Sequence, residues 1–134
     1  MIGGGHLRQG ISDSLPYDNH TFDIVVLGFC LYQVPRLYLS DSLHEADRVL
    51  KDGGFLAITD FDTPISFVRE NIHNPDMPVY KCDYSKYYTN NGYTLIEKHS
   101  YDSMGQGVFN LDIQERESTQ ILYKEKVGDV YIVG

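Results

Sequence analysis

Four side chains stand where two apolar runs end, and their types could do chemistry. Residues 22–31 (FDIVVLGFCL) lead into Tyr32 and Gln33, while residues 55–61 (FLAITDF) carry Asp60, with Asp62 just beyond. A phenol and an amide can hydrogen-bond a substrate, and a carboxylate can do the same or act as a general base. Plainer uses compete: Tyr32 and Gln33 as filling for a sheet end, Asp60 and Asp62 in a solvated loop. Five tyrosines between Tyr80 and Tyr93 could line a substrate pocket or simply pack under a lid, since each ring joins apolar area to a polar tip. The five histidines (His6, His20, His44, His73, His99) are scattered singly, so no metal site is expected. Cys30 and Cys82 form neither a CxxC pair nor a disulfide framework, as expected for a reducing cytoplasm.

The elements that must hold these residues follow from the pattern. Residues 22–31 lack polar alternation, which suits a strand covered on both faces in a parallel sheet. Leu39, Leu43, Ala46, Val49 and Leu50 recur at helical spacing within 37–50, and Ser40 and Asp41 offer amino-terminal caps. Lys51-Asp52-Gly53-Gly54 should end that helix, with a glycine at the cap, before a strand at 55–61. Strand, helix, turn, strand is a βαβ unit. Between 63 and 91, Pro64, Pro75 and Pro78 interrupt the chain, and short helices are expected near 65–71 and 84–89. Strands are expected at 93–101 (YTLIEKHSY), at 119–126 (TQILYKEK) and, in the tail, at 129–134.

The chain has 134 residues, enough for one domain spanning 1–134, at about 100–200 residues per domain. Its net charge of −8 disfavours nucleic acid and anionic membranes as partners. The longest apolar run is about half a bilayer span, and no basic segment followed by a long apolar stretch opens the chain, so a cytoplasmic location is expected.

Leu15-Pro16-Tyr17, then Phe22-Asp23, then Glu45-x-x-Arg48-Val49-Leu50-Lys51-Asp52-Gly53-Gly54 form an ordered pair of motifs. This arrangement resembles the class I S-adenosylmethionine-dependent methyltransferases over roughly residues 7–62, with Asp52 where the family commonly has proline. The resemblance implies an α/β fold: an incomplete Rossmann-like doubly wound sheet that lacks the first strands and keeps the family's fourth, fifth, seventh and sixth. It implies S-adenosylmethionine as cofactor, with Gly28 and Phe29 at its methionine end and Ser12 and Asp13 beside its adenine. Tyr32, Gln33, Asp60 and Asp62 would then face a small-molecule acceptor. Glu45 and Arg48 would make a structural ion pair near Asp23. The family's Gly-x-Gly-x-Gly turn is not matched, because no apolar strand precedes Gly3-Gly4-Gly5. A truncated form with weak or no activity is therefore expected. So is a homo-oligomer formed through the uncovered edge of strand 22–31. The alternative is a non-catalytic module that uses the same half-fold to assemble.

Overall fold

The protein is described by a computed structural model covering residues 14–71, 73–101 and 109–126. The first apolar run forms strand β1 (Phe22–Gly28) and stops where Phe29 takes a positive φ of 48°. Helix α1 (Arg36–Val49) starts earlier than its spacing suggested. Pro35 occupies the cap position at φ −54° and supplies no side-chain cap, while the expected caps Ser40 and Asp41 lie inside the helix. Proline there presets a helix-compatible φ and has no N–H to leave unpaired, so the helix can begin directly after it.

The Gly-Gly segment differs from expectation in an instructive way. The helix ends at Val49, and strand β2 (Leu50–Phe61) begins at once, taking in all of Lys51–Gly54. The two glycines thus serve a bulge within the strand, and the expected helix cap is corrected. Phe22 pairs with Leu50 but Ile24 with Phe55, so the extra β2 residues loop out between them. Gly53 sits at φ +80°, and a Cβ on Gly54 would come within 2.6 Å of the Leu50 side chain and 2.8 Å of the Asp23 carbonyl. Only glycine fits such a turn and such a close approach.

Between residues 63 and 83 a second correction applies. The helix expected near 65–71 is strand β3 (Phe67–Arg69), paired antiparallel with β4 (Val79–Lys81). Phe67 and Val68 prefer extended backbone, and two prolines in the connection disfavour a continuing helix. Helix α2 (Ser85–Thr89) and strands β5 (Tyr93–Tyr101) and β6 (Glu117–Lys124) fall close to where the sequence placed them. The strand expected at 129–134 lies outside the described residues.

The main sheet has the order β1-β2-β6-β5, with β1 parallel to β2 and the other pairs antiparallel. This is the order the resemblance implied. Val25, Leu56 and Leu122 lie side by side at 0% exposure, and Leu27 and Ile58 continue the same layer. Leu43, Ala46 and Val49 of α1, with Tyr84 and Tyr88, close over it. Tyr88 donates its hydroxyl to the Leu43 carbonyl at 2.9 Å, and Tyr93 donates to Asp47 at 2.6 Å, so the buried rings keep their polar tips paired. Each fully buried aliphatic side chain contributes about 1.5–3 kcal/mol. The sequence suggested cover on both faces. Among the described residues, helices cover one face, and on the other Ile24 and Phe55 are 48% and 41% exposed.

Candidate functional site

The carboxyl-terminal ends of β1 and β2 meet at a short, tightly held turn. Beyond Gly28, the Phe29 amide still donates to the Thr59 carbonyl at 2.7 Å, carrying the ladder one residue further. Phe29 pays for this with a left-handed backbone that non-glycine residues rarely adopt, and its ring is left partly exposed. A single 3-10 turn follows (Leu31–Gln33), whose cap residue Cys30 gives no side-chain hydrogen bond. Asp60 supplies it from β2. One carboxylate oxygen accepts the Leu31 amide at 3.1 Å and the other accepts the Phe61 amide at 2.7 Å, with the Tyr32 amide directed at the same group. Burial pushes the Asp60 carboxyl up to about 7, against the opposing pull of those amides and of Arg36.

Arg36 closes the other end of the turn. Its Nη2 donates to the carbonyls of Leu31 at 3.0 Å and Val34 at 2.9 Å, and its guanidinium lies 4.1 Å from the Tyr80 ring centre. The sequence reading missed Arg36. The only available signal was an arginine directly after Pro35 at a strand-to-helix turn.

The expected site residues divide into three groups. Ser12 and Asp13 lie outside the described residues. Gly28, Phe29, Tyr32 and Gln33 come together at the sheet end: Gln33 hydrogen-bonds the Tyr32 hydroxyl, and the Tyr32 ring packs edge-on against Phe61 at 5.3 Å. Among the described residues, a Cβ placed on Gly28 would meet nothing within 4 Å, so they leave space beside its backbone that a bound molecule could enter. Asp60 and Asp62 are 1% and 3% exposed. The solvated-loop alternative for them is therefore corrected: Asp60 faces backbone amides, and Asp62 pairs with Lys98 at 2.7 Å. Direct contact between either carboxylate and an acceptor is not what this geometry offers.

The remaining candidates are structural. Tyr84, Tyr88 and Tyr93 are core residues, so most of the tyrosine cluster is packing. Arg48 pairs with Glu45 at 2.9 Å and also donates to the carbonyls of Leu15 and Tyr17, fastening the segment before β1 to α1. Asp23 pairs instead with Lys51 at 3.4 Å. The hydrogen bond from Arg48 holds the Glu45 carboxyl below its ordinary range. Burial pushes the Cys30 thiol up to about 11 and raises Cys82 as well, so neither is an activated nucleophile. Among the described residues no cluster of three or more His, Cys, Asp or Glu side chains could hold a metal ion, and no helix is long and apolar enough to cross a membrane.

A cavity of about 230 Å3 opens on the far side of Phe61, lined also by Arg69, His73, Val79, Lys81 and Glu115. The Lys81 ammonium lies 3.9 Å from the Phe61 ring centre and donates to the Gln114 carbonyl. The cavity joins an aromatic wall to polar groups, and it neighbours Tyr32 through Phe61.

Comparison with known proteins agrees with this geometry. Residues 4–58 match a family described as a methyltransferase domain. The chain is 34% identical over 83 residues to a demethylmenaquinone methyltransferase of Staphylococcus haemolyticus, an alignment covering 62% of this chain and 29% of that one. It is 31% identical over 74 residues to a ubiquinone/menaquinone biosynthesis C-methyltransferase of Idiomarina loihiensis, covering 55% and 29%. Among solved structures, the Burkholderia thailandensis 1,6-didemethyltoxoflavin-N1-methyltransferase with bound S-adenosylhomocysteine superposes with a TM-score of 0.65. The identity is 12%, covering 85% of this chain and 48% of that one. The chain thus spans under a third of the length of the curated relatives and about half of this structural neighbour. Over residues 4–58 the chain is thus similar to the methyltransferase domain, and its mixed sheet has the α/β fold of part of a class I S-adenosylmethionine-dependent methyltransferase.

Proposed function

We propose that the chain supplies the acceptor-side half of an S-adenosylmethionine-dependent methyltransferase and is weak or inactive alone. The observation that carries this is the space that the described residues leave at Gly28 beside the held turn, at the end of a parallel strand pair. Ligands of open α/β sheets bind outside such strand ends. Gly28 and Phe29 would border the methionine end of the cofactor, with Ser12 and Asp13 near its adenine. Tyr32 and Gln33 would face the acceptor, and the cavity beyond Phe61 would hold its ring. The relatives' names point to a demethylmenaquinone-type acceptor, and a cytoplasmic setting fits the unpaired cysteines. The sulfonium of the cofactor supplies an already activated methyl group, so this chain's residues need only align the two partners and exclude water.

The test is transfer of a labelled methyl group from S-adenosylmethionine to a reduced demethylmenaquinone. Turnover far below the roughly 10 s−1 typical of enzymes is expected. Turnover near that figure would contradict the weak-alone reading. Neither product nor cofactor binding by folded protein would sink the methyltransferase reading.

The open face favours a second reading, a self-assembling module without catalysis. β1 has β2 as its single neighbour among the described residues, and Ile24, Val26, Phe55, Ala57, Ile121 and Tyr123 form an uncharged patch on one face of the sheet, with Glu97 of β5 beyond Ile121. An edge with such an apolar patch beside it can pair antiparallel with its own copy about a two-fold axis. Sedimentation should show a dimer at micromolar concentration that Ile24→Lys dissociates. A wild-type monomer throughout would reject this reading.

A further inference from the structure

We propose that Asp60 and Arg36 are positioning residues, which clamp the turn after β1 from both ends and thereby set Phe29 and Tyr32 for whatever binds at the sheet end. The inference deepens the cofactor reading and rests on it for the identity of the bound molecule.

A three-residue 3-10 turn closes few hydrogen bonds of its own, and here the Val34 amide donates to the Leu31 carbonyl at 3.1 Å where it ends. Its amino end would leave the amides of Leu31 and Tyr32 unpaired, and Asp60 takes them from the neighbouring strand. Its carboxyl end presents the carbonyls of Leu31 and Val34, and Arg36 takes both. Arg36 is itself fixed against Tyr80 and by a 3.3 Å hydrogen bond to the Tyr84 hydroxyl, so β4 and α2 brace the clamp from behind. The left-handed Phe29 persists because the residues on both sides of it are tied down. Asp60, at 1% exposure, is not placed to touch a ligand directly, and Arg36 commits its Nη2 to the turn carbonyls, so both act through the turn.

The clamp is strongest when Asp60 is ionised, because charge-assisted hydrogen bonds to amides are the stronger kind. The groups facing it are Cys30 from the turn, Arg36 from α1, and Cys82 and Tyr84 from the segment joining β4 to α2; β6 presents the uncharged Ser118 beside it. With the carboxyl pushed up to about 7 by burial, the clamp tightens as pH rises through neutrality.

Amide chemical shifts of the whole chain followed from pH 5.5 to 8.5 read this directly. Leu31, Tyr32 and Phe61 should titrate together near pH 7 in wild type and stay flat in Asp60→Asn. The affinity for S-adenosylhomocysteine should be about tenfold weaker at pH 6 than at pH 8 in wild type, and independent of pH in the variant. Leu31 and Tyr32 amides that do not titrate in wild type, or that titrate equally in Asp60→Asn, would overturn the proposal without needing the variant to bind anything. Titrating amides with no S-adenosylhomocysteine binding at either pH would uphold the clamp and reject the cofactor reading instead.

Discussion

The middle of the sheet and its carboxyl-terminal end are built from the same strands under opposite rules. In the middle, Val25, Leu56 and Leu122 stack at 0% exposure with no polar group among them, and burial yields stability. A few residues further along β1 and β2, the chain holds a left-handed phenylalanine and a buried carboxylate. Both features cost free energy, and both fix the turn that faces the space the described residues leave at Gly28. The contrast is the expected signature of a binding site: local rules are broken where a geometry must be held, and the adjoining core offsets the cost.

Opposite signs on substitution would sharpen that contrast. Leu56→Ala should lose about 2–5 kcal/mol in urea unfolding, the cost of a cavity in a closed core. Phe55→Ala, one residue away on the open face, should lose much less, and equal losses would mean that both faces are covered in solution.

Asp60→Asn tests the end of the sheet. A folded-state pKa raised to about 7, above the ordinary carboxylate range, means the folded chain holds a proton that the unfolded chain has already released. This contribution is fully present below the unfolded pKa and is lost as pH rises toward 7. Relative to wild type, the variant should therefore gain on the order of a few kcal/mol between pH 5 and pH 8. A gap between the two proteins that stays constant with pH would remove the charge cost from the account.

The smallest effect belongs to Phe29. Phe29→Gly relieves the positive φ at a half-exposed position and should change stability by roughly +1 kcal/mol at most, unfolding-state flexibility offsetting part of the relief. A loss above about 2 kcal/mol would show instead that the ring is part of the core.

Much of the covered middle was legible in the sequence, because apolar periodicity reports burial directly. The strand at 22–31, the helix ending near Val49 and the strand at 93–101 all came from it. The Gly53-Gly54 bulge was misread as a helix cap since both uses demand the same residue, and only the register between β1 and β2 separates them. The short β3–β4 hairpin was misread because three-residue strands carry no measurable period. Gly28, Phe29 and Tyr32 lie at the end of β1, where the apolar run and the family resemblance together put them. Asp60 meets an amide 29 positions away and Arg36 a hydroxyl 48 positions away, contacts that no local pattern encodes.

The central claim is that the space beside Gly28 is where the cofactor sits. Gly28 lies outside the left-handed region and no described residue stands within 4 Å of its Cβ direction, so Gly28→Leu should fold as wild type does. Calorimetric titration with S-adenosylhomocysteine should then give weak binding to wild type, with a Kd on the order of 100 µM, and at least about tenfold weaker binding to the variant. Equal affinity in the two proteins, or no heat with folded wild type, would contradict the claim.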